Sequence, residues 1–338
     1  MSELRKDPIT FRYVIIAPNR AERPNCFEYD VNANNIIECP FCEGREKSTP
    51  PEIFAYRDEN SKANSPGWKV RVVPNKFPAL ILKEKLARKN IGMFEKMQGF
   101  GSHEVIIETP RHYKKLHQLS EEQIKLVIDT YQHRLTDLKT DERLKYILIF
   151  KNEGSKAGAT INHSHSQLIA TPVIPIAIAE ELQGAIKYFN QNGCCIFCDI
   201  IENEKYFGER VFFENEYFIC FCPYASRFPF EIWILPKKHN TDYKNISEIE
   251  KSYLAKTLKI VLNKLTQAAG NPDYNYIIHT GPNRAAHQSY WQAIDKAFHW
   301  HIEIIPRLTG MAGFEWGSNF FINPVPPENS AKRLRNTE

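Results

Sequence analysis

Two histidines flank a single small residue in Asn162-His163-Ser164-His165-Ser166-Gln167, and an amide side chain follows two positions on. Side chains alternate faces along an extended strand, so this stretch would set His163, His165 and Gln167 on one face and Ser164 and Ser166 on the other. The lead-in, residues 151–160, is rich in glycine and small residues, and apolar runs at 146–150 and 168–170 bracket the whole. Three polar groups on one face beside a small-residue loop make a poor core and a good phosphate cradle. A neutral imidazole is a competent nucleophile near neutral pH. Attack by His165 on phosphorus would give a phosphoramidate, which a second phosphate would displace, with net retention at phosphorus and ping-pong kinetics. Backbone N–H groups near Gly158, the Thr160 hydroxyl and the Gln167 amide are suited to the charge that develops.

Of the eight cysteines, four form two pairs, Cys39-x-x-Cys42 and Cys195-x-x-Cys198. In a reducing compartment such pairs with histidines downstream read as zinc ligands rather than disulfides. A repeat in the chain selects the histidines. Glu104 to His112 and Glu231 to His239 each span eight positions, as do His112 to Ser120 and His239 to Ser247. His163-x-His165-x-Gln167 also has a counterpart in His299-x-His301-x-Glu303. Two Cys2His2 sets follow: Cys39, Cys42, His112 and His163, then Cys195, Cys198, His239 and His299. Each is a closed tetrahedral shell suited to structural zinc, two ions per chain, holding the first histidine of each His-x-His and aiming the second. His103, His117, His279 and His287 are rival ligands that the repeat does not pair. Glu303 would repel a phosphate, so His301 reads as scaffold or substrate wall. Cys26, Cys194, Cys220 and Cys222 read as small packing residues.

The elements that must position these groups are visible in outline. A strand over residues 12–17 ends at Pro18, and a loop follows with Arg20 and Arg23, either solvated or placed for bidentate phosphate contact. Strands are expected at 68–73 and 103–108, with the polar stretch 83–100 between them read as loop. Ser120-Glu121-Glu122-Gln123 opens a helix to about Leu138 as a capping box. The second half repeats this order, with strands at 217–221, 230–235, 274–278 and 299–303 and a helix opening at Ser247. A length of 338 residues suggests two domains, since one core seldom grows past roughly 250–300 residues. The expected division is 1–178 and 179–338, and the expected class is α+β, a tandem duplication of two antiparallel sheets with helices packed on them. No apolar run nears the roughly 18 residues of a membrane span, and the first residues lack an apolar signal core. A cytoplasmic protein without membrane contact is expected. A net charge of +4 is too small to argue for a nucleic-acid partner.

Over nearly its whole length the chain resembles the galactose-1-phosphate uridylyltransferase family of the histidine-triad superfamily. The shared residues are Asp7-Pro8 through Arg20 and Arg23-Pro24, Cys39-Pro40-Phe41-Cys42-Glu43-Gly44, Asn152 with Gly158, and His163-Ser164-His165-Ser166-Gln167, then Phe230-Glu231-Ile232-Trp233 and Gly313-Phe314-Glu315. The resemblance implies tandem histidine-triad-like domains, usually in a homodimer, and a nucleotidyl intermediate on His165 with Gln167 as the second catalytic residue. It implies substrate contacts from Asn75, Asn152, Gly158, Thr160 and Glu315, and from Arg20 and Arg23 to nucleotide phosphates, partly across the dimer. The family commonly has proline between the two histidines. Ser164, the two Cys-x-x-Cys pairs and the ending from Gly313 to Pro324 are more similar to the plant ADP-glucose phosphorylase branch, which transfers AMP to inorganic phosphate. The implied activity is transfer of UMP or AMP between a nucleotide sugar and a phosphate-bearing acceptor, of the hexose-1-phosphate uridylyltransferase type. The alternatives are the adenylyl branch (with adenylylsulfate:phosphate adenylyltransferase), a hydrolase in which water resolves the intermediate, and a zinc-stabilised nucleotide-binding module without turnover.

Overall fold

Apolar residues at period two build one sheet that runs through both halves of the chain. The computed structural model describes residues 2–18, 20, 39–83, 85–112, 114–285 and 292–337. The first half contributes β1 (Glu3–Lys6), β2 (Tyr13–Ile16), β3 (Phe54–Arg57), β4 (Trp68–Pro74), β5 (Arg88–Ile91), β6 (Phe94–Met97), β7 (Ser102–Ile107), α1 (Glu121–Leu138), β8 (Tyr146–Glu153) and β9 (His165–Thr171). In the second half α2 (Ile176–Asn192) and α3 (Ile196–Phe207) lead to β10 (Val211–Glu214), β11 (Phe218–Phe221) and β12 (Ile232–Pro236). Then come α4 (Glu248–Ala269), β13 (Tyr274–His279), α5 (Ile294–Ala297), β14 (His301–Pro306), α6 (Gly313–Ser318), β15 (Phe321–Asn323) and α7 (Pro327–Arg335).

Ten of these strands pair in the order β10-β11-β12-β14-β13-β8-β9-β7-β4-β3. Counted outward from the β8–β13 contact, each half has the same antiparallel arrangement, so the duplication is visible in the topology. The two expected sheets are fused edge to edge, with Asn152 opposite Asn275 and Lys151 opposite Tyr276. Fusion satisfies the backbone groups that each half would otherwise expose at an open edge. Residue 178 falls in the first turn of α2. A smaller sheet, β1-β2-β15, ties the start of the chain to its tail.

Helices α1 and α4 cover one face. Ile124, Val127, Tyr131 and Leu135 of α1, at helical spacing, join Leu254, Leu258, Val261 and Leu265 of α4 over Val72, Ile106, Ile149, Leu168, Ile278 and Ile302. The other face differs between the halves. Over the second half, Ile178, Leu182 and Ala185 of α2 and Phe197 and Ile201 of α3 bury Ile219, Phe221, Trp233 and Leu235. Over the first half, the same face carries His165 and Gln167 beside a cavity.

Three expectations need correction. Residues 83–100 contain a hairpin, β5–β6, turning at Gly92 with φ +60°. Nearly all its side chains are exposed on both faces, so no buried face imposed a period on the sequence. The His-x-His strands begin at His165 and His301, so His163 and His299 stand just before them. Glu104 and Glu231 are not equivalent: Glu104 is opposite Leu168 on the helix face and takes Arg134 of α1 at 2.7 and 2.8 Å, whereas Glu231 takes Arg227 on the other face. The pairing register makes His103 the counterpart of Glu231, so the matching eight-residue offsets conceal a one-residue slip. No helix among the described residues is long and apolar enough to cross a membrane.

Candidate active site

Strand β9 places His165 opposite Ile107 and Gln167 opposite Val105. The alternation holds as expected: Ser164 and Ser166 point to the helix face, where both hydroxyls donate to the buried Glu108 carboxylate. Lys151 of β8 donates from Nζ to Glu108 Oε2 (2.8 Å), Ser164 Oγ (3.0 Å) and the His165 carbonyl (3.1 Å). Tyr131 of α1 donates to Glu108 Oε1 and also contacts Tyr276. Burial pushes the Glu108 carboxyl up, but Lys151 and the serine hydroxyls outweigh it and hold it below its ordinary value. The strand bearing the histidine is thus pinned from behind by a saturated ionic network. The sequence signal for this network was a lysine at a core-facing position of an apolar strand.

On the cavity side, His165 Nδ1 donates to the His163 carbonyl at 2.7 Å, which leaves the Nε2 lone pair as the nucleophilic atom of a neutral ring. Burial, then the Lys151 ammonium, lowers the His165 pKa from its ordinary value, favouring that neutral form. The ring of Phe41 meets it edge-on at 5.3 Å between centroids. The cavity measures about 330 Å³. Phe41, Val73, Val105 and Ile161 wall it with apolar surface, and His165, Gln167, Asn75 and Thr160 supply polar groups.

The other expected substrate residues divide. Asn152 lies on the same sheet face as Gln167, its Oδ1 accepting from Asn275 Nδ2 at 2.8 Å, and Gly158 follows in the adjacent loop with φ +90°. That loop is folded tightly at Gly154, whose φ is +86° and where a Cβ would come within 2.0 Å of the Asp273 carboxylate. Like Asn152 and Gly158, Arg20 and Glu315 are not among the residues lining the cavity. Glu315 caps its own helix, accepting from the Ala312 N–H at 3.0 Å. Arg23, His287 and Cys26 lie outside the described residues.

Both Cys2His2 sets assemble. In each, one ligand atom per side chain lies within 4.8 Å of the others. In the first, Cys42 Sγ is 3.5 Å from His112 Nδ1 and 3.7 Å from His163 Nδ1, and Cys39 Sγ is 3.7 Å from His163 Nδ1. His163 Nε2 donates to the Thr109 carbonyl at 2.6 Å, so its Nδ1 presents a lone pair to the sulfurs. Burial and the neighbouring Cys39 push the Cys42 thiol up to about 11 when no cation stands between them. The second set is built alike: Cys198 Sγ is 3.5 Å from His239 Nδ1 and 3.7 Å from His299 Nδ1, and His239 Nε2 donates to the Asp295 carbonyl. The soft, crowded donors of both sets fit a tetrahedral metal. Glu181, His279 and His301 form a third close group. His117 and His103 join none of these groups. Cys220 and Cys222 are buried in the core, and Cys194 donates to Asp199 at 3.0 Å.

A family model described as galactose-1-phosphate uridyl transferase, N-terminal domain, matches residues 1–175, and the corresponding C-terminal domain model matches 181–309. The chain is 37% identical over 338 residues to ADP-glucose phosphorylase of Arabidopsis thaliana, covering 98% of this chain and 92% of that protein. It is 32% identical over 345 residues to galactose-1-phosphate uridylyltransferase of Thermotoga maritima, covering 100% and 99%. The solved structure of the Arabidopsis thaliana ADP-glucose phosphorylase with bound ADP-glucose matches with a TM-score of 0.84 at 35% identity, over 100% of this chain and 99% of that one. The α+β fold is the one shared with these structures. With domain models matched in both halves and relatives of this identity spanning the chain, the molecule is an enzyme of the nucleotidyltransferase type and belongs to the galactose-1-phosphate uridyl transferase family.

Proposed function

We propose that the enzyme transfers AMP from a nucleotide sugar of the ADP-glucose type to inorganic phosphate. His165 Nε2 attacks the α-phosphorus, a P–N bond forms, and the bond to the bridging oxygen breaks to release the sugar 1-phosphate. An oxygen of the acceptor phosphate then attacks the same phosphorus, and the P–N bond breaks to return neutral His165. The Nδ1–H to the His163 carbonyl steadies the ring as it gains positive charge. Gln167 is the second catalytic group, its NH2 meeting the phosphoryl oxygens, and Thr160, Asn152, Gly158 and Asn75 bind substrate. Arg20 and Arg23 serve the phosphates partly across a homodimer, and Glu315 binds substrate.

Zinc in the two Cys2His2 sets supplies structure only, two ions per chain, because four protein ligands leave no open position. The histidine-triad-like halves divide at 1–178 and 179–338, and the enzyme is cytoplasmic. The observation that carries this reading is the His165 ring in the wall of the cavity with Nδ1 tied to the His163 carbonyl. The adenylyl preference rests on Ser164 between the histidines and on the Arabidopsis relative. Intact-protein mass spectrometry after exposure to a mixture of ADP- and UDP-sugars tests both points. An added AMP supports the reading, an added UMP moves the enzyme to the uridylyl branch, and no adduct at all removes the covalent step.

A further inference from the structure

His103, a rival metal ligand by sequence, stands in β7 on the cavity face of the sheet, diagonally across from Gln167. Three groups approach its ring. The Ala79 backbone N–H donates to Nδ1 at 3.2 Å, Gln167 Oε1 lies 2.9 Å from Nε2, and Asn75 Nδ2 lies 3.1 Å from Nε2. A backbone amide can only donate, so Nδ1 presents a lone pair and the neutral ring carries its proton on Nε2. That proton needs an acceptor. The Asn75 carbonyl oxygen is already taken by the Phe77 N–H at 2.9 Å, which leaves its NH2 facing Nε2–H as donor against donor with no bond between them, so Gln167 Oε1 is the acceptor that receives the proton.

The two flips of a primary amide have the same shape, and only hydrogen-bond partners choose between them. With Oε1 held by His103, the NH2 is the end left for the cavity. The opposite flip would put a carbonyl oxygen against phosphoryl oxygens, where it repels. We infer that His103 is a positioning residue for nucleotidyl transfer: its Nε2–H holds the Gln167 amide in the one orientation that donates to the reacting phosphoryl group. This rests on the reading of His165 and Gln167 given above.

The test is a double-mutant cycle on the full-length enzyme, with ADP-glucose and inorganic phosphate as the assay pair and thermal melting alongside. His103→Phe keeps a flat ring and removes the donor; its kcat is expected to fall about tenfold with KM within about twofold. His103→Gln, which sets an NH2 near the old Nε2, is expected to recover most of that loss. In a Gln167→Ala background, His103→Phe is expected to cost nothing further, because there is no amide left to orient. Full activity of His103→Phe, a loss that multiplies with that of Gln167→Ala, or full activity of Gln167→Ala each overturns the inference. The underlying reading fails separately: a wild type that forms no nucleotidyl adduct sinks it, whereas a wild-type adduct with unimpaired His103→Phe sinks the role of His103 alone.

Discussion

The two halves carry the same His-x-His at the start of equivalent strands of one sheet, β9 and β14, and they differ in what lies over it. Over His165 there is a cavity of about 330 Å³. Over His301, α2 delivers Glu181, whose Oε1 is 3.3 Å from His301 Nε2, and the ring is 0% exposed. A space of about 70 Å³ nearby is lined by charged groups, among them Glu181, Arg227, Glu231, His279 and Glu303. There Arg227 bridges Glu231 and Glu303, the counterparts of His103 and Gln167. Burial opposes a charge on His279, but Glu181 and Glu303 raise its pKa to about 9. Where the first half keeps Gln167 beside a cavity with His103 against it, the second fills the position with mutually compensating ions. A His-x-His motif is therefore not by itself a candidate nucleophile; among the described residues, only the first half leaves its second histidine beside a cavity of this size.

The sharpest test of that contrast pairs two substitutions. His165→Asn should abolish both turnover and labelling by a radiolabelled nucleotide donor, a loss of at least about a thousandfold, since the proposed P–N bond forms at this ring. His301→Asn should leave the label on the protein. Label surviving in the first variant, or vanishing in a well-folded second one, would mean that the halves have been assigned the wrong way round.

Next in size are the metal sets. Elemental analysis should find two zinc ions per chain, and Cys42→Ser and Cys198→Ser should each remove one. Each loss should lower stability by on the order of several kcal/mol, because the four ligands meet only in the folded chain. The comparison predicts a split in activity: at a temperature where both variants remain folded, Cys42→Ser should slow labelling strongly, since His163 carries the carbonyl that orients His165, whereas Cys198→Ser should spare it.

The ionic network behind β9 comes third. Glu108→Gln leaves the Lys151 ammonium buried without its counter-charge, and should cost about 3–5 kcal/mol in denaturant unfolding. The sign of the pH dependence follows from the depressed Glu108 pKa. Its contribution is present above the ordinary carboxyl value of 4.5 and is lost as pH falls through the lower folded value. The variant should therefore show a weaker loss of stability in acid than the wild type, and an unchanged acid limb would exclude Glu108 as its source.

Much of this was legible beforehand because metal ligation and tandem duplication leave discrete marks: paired cysteines, a histidine at a fixed offset, and a repeated His-x-His. Both ligand sets came together with no exchange of partners. What was not legible depended on register and on covering elements. The one-residue slip that makes His103 the counterpart of Glu231 is invisible when only spacings to the next histidine are compared. The fusion at β8–β13 involves backbone groups, which carry no sequence signature. The role of Lys151 is a matter of which of two faces an apolar strand turns to α1, and that is settled only when α1 docks.

The smallest prediction contrasts the two helix caps. Ser247 opens α4 with a complete box, its Oγ accepting from the Glu250 N–H and Glu250 Oε2 accepting from the Ser247 N–H at 2.8 Å. Ser120 opens α1 with half of one: its Oγ accepts from the Gln123 N–H at 3.2 Å, but the Gln123 amide turns away to donate to the Lys69 and Glu108 carbonyls at 2.7 and 2.8 Å. Replacing either serine by alanine should cost about 1 kcal/mol. The third residues should separate. Glu250→Ala gives up only local cap bonds, whereas Gln123→Ala leaves two strand-end carbonyls without a donor beside the Glu108 network and should cost roughly 1–2 kcal/mol more. It should also slow labelling at His165 slightly, because the segment it releases at the end of β7 pairs with the strand that Lys151 pins. Equal costs for the two would mean that the first-half cap is as local as the second, and that the first turn of α1 adds nothing to the network that Tyr131 already joins.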